Sequence, residues 1–260
     1  MILESIHNSR IKNLIALQQK SKIRKKQNAF VVEGIKEMEL AFKSDFELME
    51  IYYCAEKFIE KPLLKNIPLK NQFRVSLDLF EKISYRNTGG VLAIFKAENK
   101  ELESLNIKNN SLFIVLEGVE KPGNLGAILR TADAANVNGV IICDPIIDIY
   151  NPNVVRSSVG CVFSVPVIKT TSIEAIKWLK KNEISICTTY LHENTISLYE
   201  ANLIESTAIV LGTEATGVTS QWIDEADVIV KVPMQGMIDS LNVSNVAAIC
   251  VFESVRQRLE

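Results

Sequence analysis

Histidine is scarce: only His7 and His192 occur, far apart in the chain. A zinc site needs several His or Cys ligands at recognisable spacing, and the sequence offers none. A Ser-His-Asp or Cys-His arrangement would have to rest on one of these two imidazoles, with no nucleophile elbow nearby. Hydrolytic chemistry of that kind is not expected. Paired cysteine is lacking too. Cys54, Cys143, Cys161, Cys187 and Cys250 are odd in number and form no C-x-x-C. Runs such as VIICD and AAICVF put most of them in apolar surroundings, so they read as buried core thiols of a reducing compartment. No apolar run approaches the ~18 residues of a membrane-spanning helix. The opening MILESIHNSRIKNL has neither a long apolar stretch nor a small-residue cleavage site, so it does not read as a secretory signal. The expected location is cytoplasmic, with no membrane partner.

Net charge is also small. The 29 Lys and Arg against 31 Asp and Glu leave −2, which by itself argues mildly against a nucleic-acid partner. A hydrophobic share of 47% and a charged share of 23% are ordinary for a globular chain. The 260 residues suit one large domain or two smaller ones. The charge is not evenly spread. Residues 1–100 hold 18 basic and 12 acidic side chains, net +6, whereas residues 101–260 hold 11 and 19, net −8. Asymmetry of this kind is more informative than the total.

The basic excess sits at the start. Arg10, Lys12, Lys20, Lys22, Arg24, Lys25 and Lys26 face Glu4 alone in the first 28 residues. Ile11, Leu14, Ile15 and Leu17 recur near helical spacing, so Ser9 to Lys26 reads as one basic amphipathic helix. A solvated basic face is the plain explanation; a net +6 favours a polyanion contact. Strand AFVVEG, helix GIKEMELAFK, strand FELMEIYYC, a strand at Arg74 and Val75, helix SLDLFEKIS and strand VLAIF complete a small α/β domain over 1–96. The polar stretch 97–111 reads as a linker. In 112–260, LFIVLE and GVIIC are continuous apolar strands, as in a sheet covered on both faces. NLGAILRTADAAN between them is helical. A helix over Asn153–Gly160, strand SVPVI, helix SIEAIKWLKKN, strands ISICTTY, AIVLG and VIVKV, and helix NVSNVAAICVFESVRQRL follow. The alternation predicts a parallel, doubly wound α/β domain.

Ligand sites of such domains lie at the carboxyl ends of the strands. Three of these ends carry unusual loops. In LEGVEKPGNLGAILRTADA, Gly118, Gly123 and Gly126 match neither G-x-G-x-x-G nor G-x-x-x-x-G-K-[ST], so dinucleotide and nucleoside-triphosphate readings lose their main support. Asn124, Gly126 and Arg130 remain; Asn124 can cap the helix, and Arg130 would otherwise be a surface cation. In IVLGTEATGV, Gly212 permits close backbone approach and Glu214 follows in the turn. In VPMQGMIDSLNVSNVAAI, Gly236 makes a turn, and Ser240 and Asn242 precede a helix start that can bind a polar group or simply be capped.

Together and in this order, the three loops resemble the three motifs of the SpoU (TrmH-type) family of RNA 2′-O-ribose methyltransferases in the SPOUT superfamily. EKPGNLGAILRTADA resembles the first, LGTEATGV the second, with Val218 where Leu is usual, and VPMQGMIDSLNVSNVAAI the third. NSRIKNLIALQQKSKIRKKQNAFVVEGIKEMELA is similar to the RNA substrate-binding domain of two-domain members. The resemblance implies a C-terminal α/β domain with a deep trefoil knot, preceded by a smaller α/β RNA-binding domain. It implies S-adenosylmethionine as cofactor, no metal, and a homodimer through the catalytic domain. Carried over, Arg130, Asn124, Glu214, Ser240 and Asn242 would be catalytic. Thr189, Leu211, Gly212, Val232, Met234, Gly236 and Leu241 would contact the cofactor. Arg10, Lys12, Lys22, Arg24, Lys25, Lys26 and Arg156 would contact RNA; for Arg156 a surface ion pair is an equal alternative. The family assigns Arg130 the role of general base, yet a guanidinium with a pKa above ~12 suits a fixed phosphate clamp equally. Ribosomal RNA is the expected substrate. Transfer RNA, or a non-catalytic RNA-binding or ribosome-assembly role on the same fold, are the alternatives.

Overall fold

The computed structural model describes residues 2–58, 64–65, 67–87, 89–191, 195–213 and 216–259. In chain order the first elements are β1 (Ile2–Leu3), α1 (Ser9–Gln19), α2 (Ser21–Gln27), β2 (Ala29–Glu33), α3 (Ile35–Lys43), β3 (Leu48–Tyr53), β4 (Gln72–Val75), α4 (Leu77–Ile83) and β5 (Val91–Lys96). Next come β6 (Leu112–Glu117), α5 (Pro122–Ala134), β7 (Gly139–Cys143), α6 (Pro152–Ser157), α7 (Cys161–Ser164), β8 (Val167–Thr170), α8 (Ser172–Lys181) and β9 (Ser185–Thr189). The chain ends with β10 (Ile196–Ser197), β11 (Thr207–Leu211), α9 (Ser220–Asp224), β12 (Val228–Lys231) and α10 (Val243–Leu259). It divides into two compact units, Met1–Glu98 with Asp148–Ser164, and Asn99–Ile147 with Val165–Glu260.

The first unit carries a mixed sheet in the order β1-β4-β3-β5-β2, in which β5 runs antiparallel to both neighbours. The expected single basic helix is two. Lys20 takes an extended conformation (φ −119°, ψ 108°) and separates α1 from α2. Ile11, Leu14 and Leu17 on α1 are buried against Val31, Leu92 and Ile94, which accounts for their helical spacing. The segment 148–164, expected within the C-terminal domain, completes the opposite side of this unit. Its Tyr150 ring stacks on Phe30 with centroids 4.2 Å apart, and Phe163 stacks on Phe30 at 5.6 Å. Its helical part is α6 and α7, not one helix over 153–160; Val159 (φ 54°) and Gly160 (φ 86°) are left-handed and break it.

The second unit carries a seven-stranded sheet, β10-β12-β9-β11-β6-β7-β8, parallel at every pairing. Strands β6, β7 and β11 are buried along their whole length, as their unbroken apolar runs predict. The stretch read as a linker contributes to this unit's core. Leu102 and Leu105, one helical turn apart, are buried with Phe113, Ile141 and Trp178, and Lys100 bridges to Ile168 on the edge strand β8. Two leucines among polar residues suffice to anchor it. Four of the five thiols are buried and Cys161 is half-buried. Burial pushes the Cys143 and Cys250 thiols up to about 12, with Asp144 adding to the effect at Cys143.

Candidate active site

Because the sheet is parallel, β9, β11 and β12 deliver their carboxyl ends to one edge of the second unit. Thr189 ends β9, Leu211 and Gly212 end β11, Val232 and Met234 follow β12, and Ser240 and Leu241 precede α10. All seven line one cleft of about 430 Å³, a volume suited to a small ligand. Gly236 does not line it, and a Cβ there would meet nothing within 4 Å. Glu214 lies outside the described residues.

Glycine is required at 212 for a steric reason. A Cβ there would overlap the carbonyl of Gly217, because the turn folds back on itself. Thr213 and Gly217 close that turn with paired backbone bonds of 3.0 and 3.1 Å, and Gly217 takes φ +69°. The sequence motif contained Thr213, Thr216 and Gly217, but their place in the cleft wall follows only from this fold-back.

The first and third loops meet through two amides. Asn242 Nδ2 donates to Asn124 Oδ1 at 3.2 Å. Asn242 Oδ1 accepts from the Ser244 backbone N–H at 3.0 Å and from its hydroxyl at 2.6 Å, so Asn242 also caps α10. Asn124 is not a cap. α5 begins two residues earlier with Pro122 at its first position, and Asn124 sits inside the first turn. Its side-chain oxygen accepts from Asn242. Arg130 stands on the exposed face of α5 and does not line the cleft. Among the described residues its guanidinium makes no hydrogen bond or ion pair. The described residues also contain no group of three or more His, Cys, Asp or Glu placed to hold a metal ion, and no helix long and apolar enough to cross a membrane.

The expected RNA contacts separate into two kinds. Lys12, Lys22, Lys25 and Lys26 are exposed on α1 and α2. Arg24 is not. It is 4% exposed, its Nε donates to Asp148 Oδ2 at 2.7 Å, and its Nη1 donates to the carbonyls of Leu17 and Gln18 at 2.7 and 3.1 Å. It satisfies the last carbonyls of α1, which the helix end leaves without partners. Arg24 is therefore withdrawn from the RNA-facing set. Arg10 pairs with Glu50 and lies over the Phe73 ring, 4.4 Å from its centroid, so much of its charge is engaged. Arg156 is exposed on α6, in the first unit, where its Nη2 donates to Asn153 Oδ1 at 2.7 Å.

A parallel sheet whose strand ends open on a cleft walled by loops defines an α/β protein with the ligand-site geometry of open parallel sheets. Comparison with known proteins narrows the class. The SpoU rRNA Methylase family profile matches residues 111–252, and the chain belongs to that family. The MRM3-like substrate binding domain profile matches residues 8–93. The chain is 30% identical over 250 residues to the 23S rRNA (guanosine(2553)-2′-O)-methyltransferase RlmP of Bacillus subtilis, covering 96% of this chain and 97% of that one. A solved RNA 2′-O ribose methyltransferase superposes with a TM-score of 0.86 at 35% identity, covering both chains completely (100% of each). The AdoMet-bound rRNA methyltransferase of Sinorhizobium meliloti superposes with a TM-score of 0.90 at 26% identity, covering 100% of this chain and 99% of that one.

Proposed function

We propose that this protein methylates a ribose 2′-hydroxyl of ribosomal RNA, using S-adenosylmethionine. The carrying observation is the cleft at the ends of β9, β11 and β12, into which loops of a SpoU-family chain bring Gly212, Leu241 and Ser240. The residues present fit the cofactor. The close approach of Gly212 to Gly217 brings backbone into the cleft wall, where it can face an adenosine, and Leu211, Val232, Met234 and Leu241 add apolar surface. When bound, S-adenosylmethionine supplies a methyl carbon already activated on a sulfonium. The protein must then align the ribose oxygen and assist loss of its proton.

Asn242 fixes the Asn124 amide at the edge of the cleft, and Asn124 positions the hydroxyl. Arg130, exposed and without a partner among the described residues, holds the phosphate beside that ribose, and its charge favours the alkoxide. Ser240 shapes the site. Lys12, Lys22, Lys25 and Lys26 contact the RNA backbone, and Arg156 adds a cation to the same unit. The chain would act as a homodimer. Supporting this, α10 exposes Phe252 (48%) and Leu259 (83%), two turns apart on one face. Insertion of β12 between β9 and β10, with the C-terminal stretch passing on to α10, supports a trefoil knot. Radiolabelled methyl transfer to RNA fractions from cells lacking the gene, followed by ribose-methylation mapping, tests the proposal. Label in ribosomal RNA is expected. Label confined to transfer RNA would redirect the substrate, and no transfer from any fraction would favour a non-catalytic RNA-binding role.

A further inference from the structure

Glu117 ends β6, yet its carboxylate serves a segment a hundred residues further on. It is 7% exposed. Oε2 accepts the Thr219 backbone N–H at 2.7 Å, and Oε1 accepts the Thr219 hydroxyl at 2.9 Å and the Ser172 hydroxyl at 3.0 Å. Thr219 occupies the N-cap of α9 but makes no side-chain cap, because its hydroxyl is turned to Glu117. Thr219 lies two residues beyond Gly217, which lines the cleft with Gly212, Thr213 and Thr216. Gly217 pairs with Thr213 at the end of β11. Beyond it the chain is anchored by buried Val218 and by the bonds of Thr219 to Glu117.

Ser172 belongs to the same buried network but points elsewhere. Its backbone N–H donates to Asp144 Oδ2 at 3.1 Å, its hydroxyl proton is shared between Glu117 and Asp144, and it accepts from Trp222 Nε1 at 3.2 Å. It packs α8 and α9 onto the sheet without touching the cleft wall. The network therefore offers a built-in control.

We propose that Glu117 is a positioning residue: through Thr219 it holds Gly217 in the place that receives S-adenosylmethionine, and so sets cofactor affinity. The inference rests on the reading of the cleft as the cofactor site. The carboxylate takes the Thr219 N–H and hydroxyl on separate oxygens in charge-assisted bonds, while a carboxamide keeps one accepting oxygen and turns an NH2 to the hydroxyls, so its grip on Thr219 is weaker. Thr219 is then held less firmly, Gly217 spends part of its time out of place, and apparent affinity falls by the fraction lost.

The test is calorimetric titration of S-adenosylhomocysteine and S-adenosylmethionine into the full chain, with amide hydrogen exchange of the Thr219 region. Glu117→Gln is expected to raise Kd roughly fivefold or more, with faster exchange at Thr219. Ser172→Ala is expected to lower Tm while keeping Kd within about twofold of wild type. Should Glu117→Gln fail to fold, Thr219→Val removes one latch bond only and is expected to weaken binding in the same direction. Wild-type affinity in Glu117→Gln or Thr219→Val, or equal weakening by Ser172→Ala, overturns the latch. Failure of wild type itself to bind either nucleoside overturns the cofactor reading on which the latch rests.

Discussion

Arg24 Nε and Asp148 Oδ2 lie 2.7 Å apart, although 124 positions separate them in sequence. The pair joins α2 to the segment that opens with Asp148, and both side chains are largely shielded from water, with 5% and 13% exposure. Removing one partner leaves the other charge buried alone, at a cost of about 3–5 kcal/mol. Arg24→Met is therefore expected to lower stability by that order in urea denaturation. A double variant, Arg24→Met with Asp148→Leu, is expected to recover part of the loss, because the stranded carboxylate is gone while the Leu17 and Gln18 carbonyls and the Tyr150 N–H stay without these partners. Unchanged stability in the single variant would contradict the buried assignment.

The neighbouring lysines carry the opposite expectation. Lys12, Lys22, Lys25 and Lys26 are exposed, so their replacement by Gln leaves Tm nearly unchanged. If they meet RNA phosphates, each contact removed lowers the slope of log K against log salt by about 0.7–0.9. Filter binding of ribosomal RNA fragments across a salt series measures this. Arg24→Met, assayed below its Tm, is expected to keep the wild-type slope. A four-lysine variant with the wild-type slope would place the RNA on another face.

Local pattern carried most of the architecture. The unbroken apolar runs of β6, β7 and β11 identified a covered parallel sheet because burial on both faces leaves no room for alternation. The strand ends then located the cleft. Long-range pairing was not legible. Nothing near Arg24 in sequence signals Asp148, and nothing near Glu117 signals Thr219, since a buried charge is recognised only by its partner. Lys20 breaking the basic helix was equally hidden, because Lys is a good helix former and the break reflects packing. Within the site, Gly212 was legible as a close-approach glycine, whereas the motif left open whether Asn124 caps its helix or serves the site. Pro122 fills the first helical position and starts α5 ahead of it.

Thiol reactivity follows from burial. The thiolate is the reactive form, and a thiol raised to about 12, as at Cys143 and Cys250, holds about one thiolate in ten thousand at pH 8. Burial also raises Cys54 and Cys187. Because these folded-state values lie above the unfolded ones, raising pH towards 9 ionises the unfolded thiols first and favours unfolding. Native protein at pH 8 is expected to react with Ellman's reagent quickly at Cys161 alone, and at all five thiols in guanidinium. Several fast native thiols would show that the core opens readily.

Asn124 and Asn242 are expected to act as one unit. Asn124→Ala and Asn242→Ala each remove the 3.2 Å amide contact between the first and third loops. Each is expected to lower methyl transfer by roughly 10²-fold, and the double variant by little more than either alone. Asn242→Ala also removes the α10 cap and costs about 1 kcal/mol of stability, a loss that Asn124→Ala does not share. Additive losses in the double variant would mean that the two amides work separately.

In the proposed reaction Arg130 assists loss of the ribose proton. It is exposed on α5 with no hydrogen bond or ion pair among the described residues. Arg130→Ala is expected to keep cofactor affinity, because Arg130 does not line the cleft, and to lose methyl transfer by roughly 10²-fold or more. Arg130→Lys separates two roles. A bare positive charge that lowers the hydroxyl's pKa survives as an ammonium, whereas bidentate grip on a phosphate does not. Activity close to wild type in Arg130→Lys assigns simple charge, and loss equal to Arg130→Ala assigns the planar fork. Full activity in Arg130→Ala would remove Arg130 from the mechanism altogether.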